Sequence, residues 1–285
     1  MPATSQHLPA TRAPERAGRG TSADAGSGRG SRRQVLPAWL PRILGDLLII
    51  GAWHGASGRL VPAFVLPSPL TIAQEVAGIA GSGQLWRHFG ATVRTIAIGY
   101  AVAFAVGFGV GLMMARPRAD AVLRIWVVAF LNTPGLVFAL VATMIFGFHP
   151  VGPISAVVLS SFPFVTVNIA EGVRAIPKDL VDMGRAFDVA PARRVRQIII
   201  PFLAPYTFAA LRYGFSIAWK IAIFAELFGS ASGIGFMIRN EFGLFSMSGM
   251  LAWILLFCAF ALLLEALLQL GMRRCFRWRP DAAVL

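Results

Sequence analysis

The sequence predicts an all-α protein that crosses a membrane several times, and three observations carry this prediction. Of 285 residues, 56% are hydrophobic and only 14% are charged, which leaves too little polar surface for a water-soluble domain of this length. Three uncharged stretches, 96–114, 125–148 and 247–264, reach the roughly 18–20 residues that a helix needs to cross a bilayer. The basic residues are concentrated in the tails and in alternate loops, which is typical of membrane proteins whose loops encode their orientation.

The apolar runs predict six transmembrane helices. Their approximate ranges are 43–58, 91–115, 122–148, 151–172, 203–228 and 247–271. The first run contains Asp46 and His54 and precedes all the others, which favours an uncleaved helix over a signal peptide. The segment 132–135, Pro153 and Pro163 are expected to interrupt helices three and four. Broken helices at membrane depth are tolerated only against protein or a water-filled cavity, so helices three to five are expected to surround a pathway.

The distribution of charge predicts which parts of the chain share one side of the membrane. Residues 1–40 are rich in Gly, Ser, Ala, Pro and Arg and predict a disordered tail, residues 41–279 form the transmembrane domain, and 280–285 form a second tail. Basic residues cluster between helices two and three, between helices four and five, and after helix six. The positive-inside rule then predicts that both termini and the loop 173–202 are cytoplasmic. This topology accounts for the net charge of +13 without a nucleic-acid partner.

Two local patterns predict how the helices are joined and packed. Pro67-Ser68-Pro69 breaks the chain, and Thr71-Ile72-Ala73-Gln74 has the spacing of a capping box for a short surface helix that reaches Ile79. Gly107 and Gly111 form a G-x-x-x-G pattern in helix two. This pattern permits close helix packing, either within one bundle or between two copies of the chain.

The segment 180–205 is the most informative part of the predicted cytoplasmic surface. It is amphipathic and carries charges of both signs. Ala190 precedes a proline and is therefore disfavoured in a helix, whereas Pro191 suits the first position of a new helix. The residues predict a helix, a sharp turn and a second helix at the membrane surface, which is either a solvated connector or a docking element.

The spacing of this segment resembles the EAA loop of binding-protein-dependent ABC importer permeases, whose pattern is E-A-A, three residues, G, nine residues, I-x-L-P. Asp182-Met183-Gly184 stand at E-A-A, Asp188 stands at the glycine, and Ile198-Ile199-Ile200-Pro201 complete the pattern. In that family the loop docks into the ATPase as a coupling helix. The resemblance therefore implies ATPase-coupling roles for a set of seven residues: Asp182, Met183, Gly184, Asp188, Ile198, Ile200 and Pro201.

Three residues of this loop depart from the family pattern. Asp182 carries a carboxylate on a shorter side chain than glutamate, and Met183 is larger than alanine. Asp188 replaces a glycine that is expected to supply a left-handed turn, a conformation that aspartate tolerates better than most residues but less well than glycine. The departures leave the docking role in place and put the tightness of the turn in question.

Weaker matches narrow the resemblance to the nitrate, aliphatic sulfonate and taurine permeases, a subfamily that includes importers of pyrimidine vitamin precursors. These matches are Leu66-Pro67-Ser68-Pro69, Trp219-Lys220 with Glu226, Gly233-Ile234-Gly235 and Arg277-Trp278-Arg279. The resemblance implies a type I ABC importer permease of the bacterial inner membrane for a small, often anionic, nitrogen- or sulfur-containing solute. It also implies a second permease copy, two ATPase copies that bind ATP and Mg²⁺, a periplasmic solute-binding protein and surrounding lipid.

The sequence offers no site for catalysis, a cofactor or a metal in this chain. Its only lysines, Lys178 and Lys220, follow Pro177 and Trp219, so the phosphate-binding motif G-x-x-x-x-G-K-[ST] is impossible. Its four histidines lack the spacing of a metal site. ATP hydrolysis is therefore expected on a separate subunit.

Charged residues within the predicted spans are candidates for the translocation path, because a charge at membrane depth is costly unless it is paired or hydrated. Lys220 and Glu226, together with the adjacent Trp219, are the path candidates, and Lys220 is expected to attract an anionic solute. The alternative for such charges is an interhelical ion pair, for instance Arg212 with Glu265. A stand-alone ion-coupled secondary transporter is the alternative function, although it would show acidic or histidine relays and often an inverted repeat.

Overall fold

The computed structural model describes residues 39–275. Apart from one isolated bridge, the regular secondary structure in this range is helical. Within the described range, the contacts divide the chain after Asp46, and the packing below is that of residues 47–275. The predicted tail up to residue 38, the Arg277-Trp278-Arg279 motif and the segment 280–285 lie outside the described residues.

Apart from the longer segment 57–68 between the first two, the helices follow each other with short connections. In chain order they are α1 (Trp39–Ala56), α2 (Pro69–Gly81), α3 (Gln84–Met113), α4 (Pro117–Asn132), α5 (Gly135–Phe146), α6 (Val151–Arg174), α7 (Lys178–Ala186), α8 (Pro191–Arg194), a π-helical turn (Val195–Ile199), α9 (Ile200–Gly229), α10 (Ile234–Gly243) and α11 (Met247–Cys275). An isolated bridge joins Ser57 to Val61.

α6 lies at the centre of the bundle, between α3 and α9, and its buried residues are small or β-branched. The α3 face that contacts it carries glycines, and a Cβ atom on Gly107 would lie 2.5 Å from the Phe162 carbonyl oxygen. A Cβ atom on Gly111 would lie 2.8 Å from the Thr166 carbonyl oxygen. The G-x-x-x-G pattern therefore packs helices within one chain, because only glycine lets the two backbones approach this closely.

The third predicted span is broken into α4 and α5, whose axes differ by 92°. Thr133 is extended and Pro134 offers no N–H to continue α4. The break expected at 132–135 is confirmed. The breaks expected at Pro153 and Pro163 are wrong, because Pro153 lies in the first turn of α6, where no intrahelical donor is needed, and α6 continues past Pro163 between its packed neighbours.

Helix lengths support a multi-span membrane protein. Four described helices, or five if the α4–α5 pair is one span, are long and apolar enough to cross a membrane, and the apolar part of α1, Ile43–Ala56, is shorter. The count of six spans stays a prediction.

The short helix after the L-P-S-P element is confirmed, with a different cap from the predicted one. α2 begins at Pro69 rather than Thr71, and Ser68 is its N-cap. The Thr71 N–H donates to Ser68 Oγ at 3.2 Å, so the capping box assigned to Thr71 and Gln74 is wrong. Proline at the first helical position, where no donor is needed, moved the start of the helix upstream.

Candidate functional site

Residues 178–201, called the hairpin from here on, form the predicted helix, turn and helix. α7 ends in a Schellman motif, in which the Val189 N–H donates to the Gly184 carbonyl at 3.0 Å and the Asp188 N–H to the Arg185 carbonyl at 3.0 Å. Asp188 has a φ of 54°. The expected left-handed turn at Asp188 is therefore confirmed, with aspartate in a conformation that glycine adopts more easily.

The second half of the hairpin leads directly into α9. Pro191 opens α8 after an extended Ala190, as predicted. A π-helical turn follows, in which the Ile200 N–H donates to the Val195 carbonyl. Pro201 has no N–H and its ring crowds the carbonyl four residues earlier, so a wider turn at this point has a physical cause. The helical backbone continues from Pro191 to Gly229.

The two arms of the hairpin pack through Gly184, the one residue of α7 that is buried. A Cβ atom on Gly184 would lie 3.1 Å from Arg194 Cδ and 3.5 Å from Ile198 Cδ1. The structure thus brings Gly184 and Ile198 together inside the hairpin, and it leaves Ile200 and Pro201 exposed on its surface.

The outer face of α7 combines exposed apolar side chains with an ion pair. Met183 is 51% exposed and Phe187, one turn later, is 78% exposed. Beside them Asp182 Oδ1 lies 3.0 Å from Arg185 Nη1. Phe187 was missed in the sequence, although its spacing of four residues from Met183 was a signal that could have identified it.

A second polar site lies at the other end of α9, and it is called the Glu226 cluster from here on. It consists of His88 and Thr92 on α3, Glu226 on α9, and Gly233-Ile234-Gly235 at the start of α10. Glu226 is 1% exposed. Its Oε2 accepts a hydrogen bond from Thr92 Oγ1 at 2.8 Å and one from the Gly235 N–H at 3.2 Å.

The side chains of Thr92 and His88 also accept hydrogen bonds from the backbone at the start of α10. The Ile234 N–H donates to Thr92 Oγ1 at 2.9 Å, and the Gly233 N–H donates to His88 Nδ1 at 3.3 Å. Glu226 was predicted to line the path; the structure places its side chain in the interior, and its role in a path stays a prediction. Sequence reasoning missed His88 and Thr92, which lie more than a hundred residues before their partners.

The other charges of the spans occupy different surroundings. Lys220 is exposed on α9, with its Nζ 5.5 Å from the centroid of the Trp219 ring, and Trp219 packs on Phe257. Arg212 Nη2 lies 3.6 Å from Glu265 Oε1, which confirms the ion pair expected between α9 and α11. No group of three or more His, Cys, Asp or Glu side chains within residues 39–275 is arranged to hold a metal ion.

Comparison with known sequences identifies related transport proteins. The family model described as "Binding-protein-dependent transport system inner membrane component" matches residues 101–276. A putative aliphatic sulfonates transport permease protein, SsuC of Bacillus subtilis, is 26% identical over 91% of this chain and 94% of its own length. The taurine transport system permease protein TauC of Escherichia coli is 25% identical over 80% and 86%. The riboflavin transport system permease protein RibX of Chloroflexus aurantiacus is 26% identical over 82% and 88%.

Comparison with solved structures agrees on the fold. A chain of the inward-facing methionine ABC transporter MetNI superposes with a TM-score of 0.57 at 21% identity, covering 70% of this chain and 97% of its own. A chain of an amino acid ABC transporter crystallised with histidines superposes with a TM-score of 0.58 at 18% identity, covering 70% and 97%.

Proposed function

The chain belongs to the family of inner membrane components of binding-protein-dependent transport systems, and from that premise we propose which of its surfaces meets the ATPase and what it transports. It is an ABC importer permease of the sulfonate and taurine type. The alternative of a stand-alone secondary transporter is wrong, because its relatives and structural neighbours are ABC transporter permeases.

The hairpin is the docking site for the ATPase in this proposal, and the exposed face of α7 carries it. Met183 and Phe187 project side by side from a charged loop. Exposure of these apolar side chains to water is unfavourable. Exposed apolar side chains rimmed by charges are typical of protein interfaces. The neighbouring Asp182–Arg185 pair supplies polar contacts at the rim of the same face.

The hairpin also has the connectivity that a coupling element requires. Because α8, the π-helical turn and α9 are continuous from Pro191 to Gly229, a displacement of the hairpin is delivered to a membrane-spanning helix without an intervening loop. We place the hairpin and both termini in the cytoplasm, from the distribution of basic residues. Two permease copies, two ATPase copies and a periplasmic solute-binding protein complete the importer. ATP and Mg²⁺ bind to the ATPase, whose closure switches the permeases between inward- and outward-facing states.

The proposed solute is a small organic sulfonate, because two of the three relatives described above are named for sulfonates or taurine. Lys220 is the proposed attractant for the anion. An exposed ammonium group within a span is favourable only beside a partner copy or a hydrated path, and the indole ring of Trp219 lies beside it.

The docking role is tested with two matched variants. Phe187→Ser removes an exposed aromatic ring from the hairpin, and Phe245→Ser removes a ring that is 91% exposed from the connection between α10 and α11. Each tagged variant is co-expressed with the ATPase subunit, and the retained ATPase and the uptake of radiolabelled taurine are measured. Phe187→Ser is expected to weaken ATPase binding by about 2 kcal/mol, or roughly thirtyfold, as loss of a buried aromatic anchor does.

Phe245→Ser is expected to retain the ATPase at the wild-type level. Equal retention in both variants would contradict the assignment of the hairpin. If taurine is not taken up by the wild-type importer, a thermal-shift screen of sulfonates against the partner binding protein identifies the solute, because a bound ligand raises its apparent stability.

A further inference from the structure

We infer that Glu226 and Thr92 are positioning residues that make α10 move with α9, so that a displacement started at the hairpin reaches the opposite face of the membrane. The inference rests on the proposed function. It assigns to the Glu226 cluster a task that goes beyond holding one turn in place.

The cluster joins three helices at one buried point. The Thr92 hydroxyl on α3 donates to Glu226 at the end of α9 and accepts from the Ile234 N–H at the start of α10. Glu226 in turn accepts from the Gly235 N–H. One hydroxyl and one carboxylate therefore connect α3, α9 and α10, and a buried, hydrogen-bonded polar network of this kind is rigid.

The glycines of the turn allow α10 to pack closely against the last turns of α9. Gly233 has a φ of 110° and a ψ of 170°, a conformation that other residues rarely adopt, and a Cβ atom there would overlap the Glu226 carboxylate. A Cβ atom on Gly235 would lie 2.8 Å from Glu226 Cβ and 2.9 Å from the Leu227 nitrogen. No flexible side chain separates the two helices at this contact.

A second attachment fixes the orientation of α10. Arg239, more than one turn into α10, donates from Nη1 to the Leu227 carbonyl at 3.2 Å and from Nη2 to the Ser230 carbonyl at 2.8 Å. These carbonyls lie at the end of α9, where no intrahelical donor remains for them. The attachments at Gly235 and Arg239 therefore restrain both the position and the rotation of α10 relative to α9.

The Glu226 side chain is buried, and the Thr92 hydroxyl and the Gly235 N–H both donate to the same oxygen, Oε2. A buried polar group within a span is costly unless it is hydrogen-bonded. These two bonds therefore favour one arrangement of α3, α9 and α10.

The test uses the complete permease–ATPase complex in nanodiscs, in a background where Cys258 and Cys275 are replaced by alanine. One reporter cysteine at the exposed Ala192 follows the hairpin, and another at the exposed Asn240 follows α10. The rate of reaction with a membrane-impermeant maleimide is measured for each reporter without nucleotide and with AMP-PNP. We expect AMP-PNP to change both rates at least threefold in the parent.

Two pairs of variants separate the hydrogen bonds from the shape of the side chains. Thr92→Val removes the hydroxyl and Thr92→Ser keeps it, whereas Glu226→Leu removes both acceptors and Glu226→Gln keeps one for Thr92 and Gly235. Thr166→Val is the control, because Thr166 is equally buried and its hydroxyl donates only to the Phe162 carbonyl of its own helix.

The expected result is a loss of response at one reporter only. In Thr92→Val and Glu226→Leu the Ala192→Cys reporter keeps its response to AMP-PNP, and the Asn240→Cys reporter loses most of its response. Thr92→Ser, Glu226→Gln and Thr166→Val keep both responses. A merely structural role would not separate the two reporters.

Three results would overturn the inference. One is an unchanged response of Asn240→Cys in Thr92→Val. Another is the same loss in Thr92→Ser or Thr166→Val, and the third is loss of ATPase retention in Thr92→Val, because the hydroxyl would then serve assembly rather than transmission. Should Glu226→Leu fail to accumulate, the nearly isosteric Thr92→Val decides alone. A hairpin reporter that ignores AMP-PNP in the parent would contradict the proposed function instead.

Discussion

The two ends of the continuous helical segment 191–229 are built in opposite ways. At the hairpin, the side chains of Met183, Phe187 and Asp188 are exposed, and the hydrogen bonds of the turn join backbone groups of near neighbours. At the Glu226 cluster the carboxylate is almost fully buried, and side chains from α3 hold the turn. One end is free to be covered by a partner, and the other has already found its partners within the chain.

This difference is what we expect of a helical segment that transmits a movement from one face of the protein to the other. Under the proposed function, the exposed end accepts contacts from the ATPase and releases them during each ATP cycle, so its side chains cannot be committed to intramolecular packing. Under the further inference, the buried end transmits a movement, and interiors of close-packed, hydrogen-bonded groups deform little. Substitutions at the two ends should therefore differ in what they damage: docking at the hairpin, and folding or transmission at the Glu226 cluster.

The largest effect is expected from Gly233→Ala, because strain and overlap act together. Gly233 has a φ of 110° and its Cβ atom would collide with the Glu226 carboxylate, which together should destabilise the fold by roughly 3–5 kcal/mol. Gly83→Ala is the matched control, since Gly83 also has a positive φ, of 74°, but open space around it. It should cost only about 1–2 kcal/mol. The midpoint of thermal unfolding, followed by tryptophan fluorescence in one detergent, compares the two variants. Equal shifts in the midpoint of thermal unfolding would mean that the Glu226 cluster accommodates an added methyl group as easily as an exposed turn does.

A smaller effect is expected from substitutions of Asp188, and it should appear in ATPase retention rather than in the thermal stability of the bundle. Asp188→Val places a β-branched residue at a φ of 54° and should destabilise the turn of the hairpin by about 1–2 kcal/mol, whereas Asp188→Gly should stabilise it by a similar amount. The measurement is ATPase retention, which should fall in the valine variant and be kept in the glycine variant. Because the residue is exposed, thermal unfolding of the membrane bundle should hardly change in either. A large loss of bundle stability in the valine variant would remove the distinction between the two ends.

The hairpin could be predicted from the sequence because its structure is local. Alanine before Pro191 and the spacing of Asp188 specify a turn within a few residues, and backbone hydrogen bonds between near neighbours complete it. The break of the span at Pro134 was predictable for the same reason. Where a local rule failed, at Pro163, the packing of α6 between two helices overrode the disruption by proline.

The Glu226 cluster could not be predicted because its contacts are long-range. The glycine motif and Glu226 were visible in the sequence, but nothing local indicates that Thr92 and His88 satisfy them from α3. Path candidates were chosen by charge within a span, and that criterion cannot tell a buried carboxylate from an exposed ammonium group. Only the packing of the three helices separates Glu226 from Lys220.

Lys220 provides the smallest expected effect and a test of the region between the two ends. Its ammonium group is exposed on α9 beside Trp219, away from the hairpin and from the Glu226 cluster, so Lys220→Gln should leave thermal unfolding and ATPase retention unchanged. If the lysine attracts an anionic solute in a hydrated path, loss of one charge should raise the KM for uptake roughly threefold to fivefold, about 1 kcal/mol or less. The measurement is taurine uptake by proteoliposomes at low and high ionic strength.

Lys220→Arg is the control, because it keeps the charge, and the difference between wild type and Lys220→Gln should shrink as salt screens the attraction. A variant that loses ATPase retention would show that Lys220 supports assembly, and uptake with an unchanged KM would exclude it from the path. The second outcome would confine the functional contacts of α9 to its two ends, whereas the first would add a third contact between them.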